Sequence, residues 1–151
     1  MARFALDTNL LIYADGFNEA AKRDFVIDLI ARLGREAVVL PTQVLGEFFN
    51  VMTRKYSKPR SGAQARIDVW AARFATQPAG VATFRSAIDM AAAYDFQIWD
   101  ALILCTAAEA GCIALLSEDM QHGFVHRGVT VIDPFAEPMH PLLADALRRP
   151  R

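Results

Sequence analysis

"RFALDTNLLIYA" (residues 3–14) sets an unbroken apolar run, Phe4 to Leu6, directly against a carboxylate, Asp7, and then turns at once into a second apolar stretch. A short apolar run with no alternation is the pattern of a strand buried on both faces, as parallel sheets require. The acid at its end poses the question on which the fold and the function both turn.

Working outward from that strand, the chain reads as strand, helix, strand, helix pair, strand, helix pair, strand, strand, which is an α/β order. Residues 3–6 form the first strand. Residues 19–34 carry Phe25, Val26, Leu29, Ile30 and Leu33 on one helical stripe, with Lys22, Arg23, Asp28 and Arg32 outside it and Gly34 at its end. "AVVLP" (37–41) is a second strand, and "TQVLGEFFNVMTRKYS" reads as a helix with Thr42 near its N-cap. Pro59 and Gly62 break the chain; a helix bearing Ile67, Trp70 and Phe74 follows, then a short strand through Val81 and a helix over "TFRSAIDMAAAYD". The next helix starts near Ile98 and stops at Gly111, and "IALLS" and "VTVID" close the sheet. Residues 1–135 make one domain, and 136–151 are its Pro-containing tail, with a short helix at 141–148 and a soluble, frayed end at Arg148, Arg149 and Arg151.

Composition excludes several classes. With 151 residues, 54% hydrophobic and 22% charged, the chain suits one domain with a full core rather than a disordered segment. The run "ALILCTAA" is far short of the roughly 20 residues of a membrane span, and Arg3 and Asp7 interrupt any signal peptide, so the expected location is cytoplasmic. The two cysteines, Cys105 and Cys112, read as core packing rather than a disulfide or zinc site. A formal net charge of -1 does not announce a nucleic-acid binder, although a local basic patch remains compatible with it.

Open parallel sheets bind ligands at the carboxyl ends of their strands, and two acidic positions fall there. Asp7 ends the first strand, and Glu118-Asp119 follows "IALLS" from the other half of the chain. Asp100 sits in the first turn of its helix, where the dipole favours an anion. Glu47 follows Val44 by three residues and precedes Val51 by four, which puts it beside an apolar stripe. Each acid alone has a structural reading as a cap, turn or rim residue. Converging, they would repel by about 4 kcal/mol per pair at about 4 Å and an effective dielectric near 20. No Lys or Arg lies within two residues of Asp7, Asp100 or Asp119. A divalent cation is the natural counter-charge, and an all-oxygen set suits Mg²⁺ or Mn²⁺ better than zinc.

These residues, in this order, resemble a PIN domain, in particular the VapC-like toxin ribonucleases of bacterial toxin–antitoxin systems. "LDTNLLIYA" is similar to the first block of that family, with Asp7 as first acid and Asn9 as polar companion. "EFFNV" supplies Glu47, "WDALIL" supplies Asp100, and "LLSEDMQHG" supplies Asp119 with Ser117 as the small hydroxyl residue and Glu118 as an adjacent, alternative ligand. The resemblance spans residues 3–135. It implies a three-layer fold with a short, mostly parallel sheet of four to five strands, an acid cluster holding Mg²⁺ or Mn²⁺, and endonucleolytic cleavage of RNA. It also implies a homodimer restrained by an antitoxin protein.

The chemistry of the residues agrees on separate grounds. Metal-assisted attack of water on phosphorus needs acids and no histidine pair, and leaves 5'-phosphate and 3'-OH ends. The 2'-OH route needs a general base, and no convincing His or Lys pair is present. His122 and His126 offer a competing ligand set with Asp119, but Gly123 and Gly128 make that segment a loop. His122 is at most a phosphate contact.

For substrate, "RKYSKPRSGAQAR" (54–66) brings Arg54, Lys55, Lys58, Arg60 and Arg66 with Tyr56 and no acid. It reads as a solvated connection, a path for a phosphate backbone with Tyr56 stacking on a base, or a seat for an acidic antitoxin segment. Phe48, Phe49, Val69, Trp70 and Phe74 offer either core or a dimer face. Two other classes fit less well. An aspartyl phosphatase would place a second Asp where Asn9 stands, and a phospho-receiver needs a late Lys, whereas none follows Lys58. A non-catalytic PIN-like partner-binding module is the remaining alternative.

Overall fold

The computed structural model describes residues 1–17 and 19–149, so Arg151 falls outside the described residues. The order is β1 (Phe4–Leu6), α1 (Thr8–Ala14), α2 (Ala20–Leu33), a 3-10 turn (Arg35–Ala37), β2 (Val38–Pro41), α3 (Thr42–Arg54), α4 (Arg60–Arg73), β3 (Ala75–Gln77), α5 (Val81–Tyr94), α6 (Ile98–Glu109), β4 (Ala114–Leu116), β5 (Val125–His126), β6 (Val129–Ile132) and α7 (Pro141–Arg148). The strands form one sheet in the order β3-β2-β1-β4-β6-β5. All neighbours are parallel except β5 and β6.

β1 lies between β2, which follows it in the chain, and β4, which comes from the far half. The strand order reverses there, and such switch points open a crevice at the carboxyl ends of the two strands. Every residue of β1, β2, β4 and β6 is buried, which explains why their sequences are almost wholly apolar, Thr130 being the exception. Helix α6 is buried from Ala101 through Ala107 without interruption, so it shows no amphipathic stripe and is a core element.

The structure corrects the sequence reading at several points. α1 was not expected: seven residues, mostly buried, give the 3.6-residue period nothing to display. The third strand is Ala75–Gln77 and not at Val81, which opens α5; as an exposed edge strand its "ATQ" carries no hydrophobic pattern. Gly123 and Gly128 do bend the chain, yet Val125 and His126 between them pair antiparallel with β6, giving six strands where four to five were expected. Gly62 lies inside α4, and Thr42 is the first helical residue rather than the cap. Cys105 and Cys112 are both free and buried, as core cysteines. Phe48, Trp70 and Phe74 are core, Phe49 is half-buried, and Val69 is exposed.

Past β6 the chain stays attached. Phe135 packs against Tyr13 and Phe25 at ring-centroid separations of 5.7 and 5.2 Å, and α7 rests on α2 with Leu143 fully buried. Arg148 and Arg149 both pair with Asp145 on the surface. Truncating Leu143→Ala is therefore expected to cost about 2–5 kcal/mol of unfolding free energy, the range for a fully buried leucine. Urea denaturation measures this, and an unchanged midpoint would make the segment a dispensable appendage.

Candidate active site

The crevice at the carboxyl ends of β1 and β4 is built by local rules acting on four separate segments. Asp7 leaves β1 in extended conformation and caps α1, its Oδ1 accepting the Thr8 amide at 2.8 Å. Its own amide reaches across to the Leu116 carbonyl at 3.0 Å, and the Ser117 hydroxyl donates to its Oδ2 at 2.7 Å. Parallel pairing of Leu6 with Leu116 makes this unavoidable, because the residues after each strand then stand side by side. The Ser117 oxygen also accepts the amides of Asp119 and Met120, both at 3.3 Å, which turns the chain sharply beyond β4.

Glu47 comes from the second turn of α3 and is fixed by the Thr8 hydroxyl, which donates to Oε2 at 2.6 Å, and by Gln43, 3.3 Å from Oε1. Asp100 lies in the first turn of α6, where the Gln97 side chain caps the helix by accepting the Asp100 amide at 3.1 Å. The Asn9 amide group donates to Oδ2 of Asp119. Asp7, Thr8, Asn9, Glu47, Asn50, Val51, Asp100 and Asp119 together line an open cavity of about 230 Å³ that contains no Lys or Arg. All four expected acids and Asn9 thus share one pocket, with Ser117 directly behind it.

Glu118 does not join them. Its two oxygens accept from Tyr13 at 2.7 Å and Lys22 at 2.5 Å, and the pocket lining omits it. Neither Tyr13 nor Lys22 was legible as a partner of Glu118, since they lie about a hundred positions upstream of it.

The charges record the crowding. Burial, opposed by the Ser117 and Thr8 hydrogen bonds and reinforced by Glu47 and Asp100, pushes the Asp7 carboxyl up from 3.8 to about 6. Asp100 is raised by burial and by Glu47 and Asp119. Asp119 is raised by burial and by Glu118, with Asn9 working the other way. Burial also acts to raise Glu118, but the bonds from Lys22 and Tyr13 outweigh it and leave that carboxyl below its ordinary value. Among the described residues no group of three Asp, Glu, His or Cys side chains is already disposed to hold a metal ion. The acids share a pocket rather than a point, and what fits a hard divalent cation is the chemistry of the set, four carboxylates in a lining that, among the described residues, includes no Lys or Arg.

The histidines have structural roles. His122 accepts the Asp133 amide at 2.9 Å, and His126 lies 3.8 Å from the Cys105 sulfur. In the basic segment, Arg54, Lys55, Lys58 and Arg60 are exposed. Arg66 is committed to Asp15 through two hydrogen bonds, at 2.6 and 2.9 Å, and the Tyr56 ring already rests on Phe17 at 4.9 Å.

Comparison with known proteins agrees with this architecture. The PIN domain family model matches residues 4–125. Ribonuclease VapC7 of Mycobacterium tuberculosis is 31% identical over 143 residues, which cover 93% of this chain and 97% of that protein. Among solved structures the fold is similar to VapC20 of Mycobacterium tuberculosis, described as a sarcin-ricin loop cleaving toxin, with a TM-score of 0.65 and 16% identity over 77% of this chain and 91% of the other. It is also similar to VapBC2 of Rickettsia felis bound to a DNA fragment from the promoter, with a TM-score of 0.61 and 14% identity over 85% and 96% of the two chains.

Because the folded-state value of Asp7 lies above its unfolded value, the folded protein holds the extra proton between them. Stability falls as pH rises from about 4 to about 6, and above that the full penalty remains, an upper bound of about 3 kcal/mol. Asp7→Asn keeps the cap and removes the charge. In EDTA at pH 8 it is expected to melt higher than the parent chain, with the difference vanishing near pH 4; an equal or lower melting temperature at pH 8 would contradict the buried-charge account.

Proposed function

The chain belongs to the PIN domain family, and from that premise we propose that it is a Mg²⁺- or Mn²⁺-dependent endoribonuclease, the toxin of a toxin–antitoxin pair. The observation that carries this reading is the acid pocket: carboxylates from four distant segments face one cavity whose lining, among the described residues, includes no Lys or Arg. Retaining that repulsion makes sense at a site whose charge is completed by a ligand. RNA as substrate and an antitoxin as partner are supported by the likeness to Ribonuclease VapC7 and to the VapBC complex.

In this reading Asp7, Glu47, Asp100 and Asp119 hold the cation, which when bound supplies Lewis acidity toward the phosphodiester. The chain's own residues do the positioning. Ser117 and the Thr8 amide fix Asp7 from two sides, the Thr8 hydroxyl fixes Glu47, and Asn9 fixes Asp119. Water then displaces the 3' oxygen in line, leaving 5'-phosphate and 3'-OH ends. Arg54 ends the helix that carries Glu47, Lys55 and Lys58 follow it, and Arg60 opens α4; together they draw the phosphate backbone toward the pocket. Tyr56, packed on Phe17, supports that segment more than it offers a free face to a base.

Two protein partners have distinct faces. Beside the basic segment lies an apolar hollow of about 500 Å³, lined among others by Phe17, Met52 and Ala63, with Lys58 at its margin; this suits an antitoxin segment with apolar and acidic residues. For a second copy, α5 is the better surface than the helices of residues 42–77, whose large side chains are mostly buried. Val81, Phe84 and Ile88 are 72%, 38% and 55% exposed, and the only charges on α5, Arg85 and Asp89, join no ion pair among the described residues. An antiparallel pairing of two α5 helices sets Arg85 of one copy against Asp89 of the other.

End-labelled RNA and single-stranded DNA, incubated with the purified chain in Mg²⁺, Mn²⁺ or EDTA, test the activity. The expected result is metal-dependent RNA cleavage with 5'-phosphate products, reduced by about a hundredfold or more in folded Asp7→Asn and Asp119→Asn. A folded parent chain that binds no divalent cation and cuts nothing would favour the partner-binding module. For the α5 face, Ile88→Glu is expected to convert a dimer into a monomer in light scattering, with its melting curve still cooperative; a monomeric parent chain would remove the basis for that contact.

A further inference from the structure

Two carboxylates stand next to each other after β4, and only one of them enters the pocket. The residues that decide which one lie outside it. Asn9 and Tyr13 are four apart on α1 and therefore share a face. Asn9 donates to Asp119, and Tyr13 donates to Oε1 of Glu118 at 2.7 Å, so one helix face engages both acids in register. Lys22 takes the other Glu118 oxygen at 2.5 Å and approaches the Tyr13 hydroxyl at 3.4 Å. Its ammonium lies 4.8 Å from the ring centre of Phe135 and 5.1 Å from that of Tyr13. Both Glu118 oxygens are thereby occupied, and the cation that holds one of them lies over two aromatic rings.

We propose that Lys22 and Tyr13 are positioning residues that sort the Glu118–Asp119 pair, holding Glu118 out of the acid pocket so that Asp119 alone of the two faces it. This rests on the pocket being a cation site. The Ser117 hydroxyl fixes the loop backbone but acts on the amides of Asp119 and Met120, leaving the Glu118 side chain to the clamp. Without the clamp, a fifth carboxylate with a longer reach becomes available one residue from the pocket. Extra oxygen ligands favour Ca²⁺, which takes six to eight, over ions that demand a tighter octahedral set. The clamp thus acts as a filter on which ion the pocket accepts.

The test is the ratio of Ca²⁺ to Mg²⁺ affinity, measured by titration calorimetry on the full chain without substrate. Lys22→Met is expected to shift that ratio toward Ca²⁺ by about tenfold, while Lys22→Arg leaves it nearly unchanged. Adding Glu118→Gln to Lys22→Met should return the ratio to that of the parent chain. Tyr13→Phe should shift it in the same direction by less, and it serves as the independent variant if Lys22→Met does not fold. A merely structural role would lower the melting temperature without moving the ratio. An unmoved ratio in a folded clamp variant, or a shift that Glu118→Gln fails to reverse, overturns the proposal while the cation site stands. A parent chain that binds neither ion overturns the cation site itself, and the clamp's role with it.

Discussion

The hydrogen bond from the Ser117 hydroxyl to the buried carboxylate of Asp7 joins the two halves of the chain at the point where its charge is most costly. It stands on the parallel pairing of β1 with β4, and it fixes where β1 stops, where α1 starts and how the chain turns after β4. A hydroxyl can stabilise one carboxylate in this way, but it brings no positive charge. Burial therefore still raises Asp7, and the neighbouring acids add to it. The rest of the pocket is an elaboration of that unresolved charge.

The surrounding polar residues divide the labour in a physically sensible way. Thr8, Asn9 and Ser117 are neutral donors, and the side chain of each aims at one pocket acid. The nearby ammonium, that of Lys22, is spent on Glu118 and kept beside aromatic rings outside the cavity. A site arranged so places neutral donors on the acids it presents and a cation on the acid it withholds. Neutral donors orient a carboxylate without discharging it, which leaves the pocket anionic and open to a cationic ligand.

Much of the architecture was legible because fully buried strands and strand-end acids are local signals. "FAL", "VVLP" and "ALL" are apolar throughout, "VTVI" is so but for Thr130, and Gly34 closes α2 at positive φ. What escaped was whatever lacked its own pattern: α1, too short to show a period; β3, an exposed edge; and β5, two residues held by β6 across a turn. Edge strands take their identity from a neighbour's unpaired backbone, and no side-chain periodicity records that.

For the pocket, the sequence by itself determined the candidate acids Asp7, Glu47, Asp100 and Asp119, the absence of a Lys or Arg within two residues of any of them, and the polar companions Asn9 and Ser117, because Asp7, Asp100 and Asp119 are tied to a helix or strand end and Glu47 stands beside an apolar stripe. It favoured Asp119 by resemblance alone and kept Glu118 as the alternative, since neighbours in a loop have no period to tell them apart. Only the tertiary structure decided between them. The face of α1 that carries Asn9 and Tyr13, together with Lys22 on α2, meets that loop across about a hundred residues of chain, and side-chain reach across such a gap is a property of packing alone.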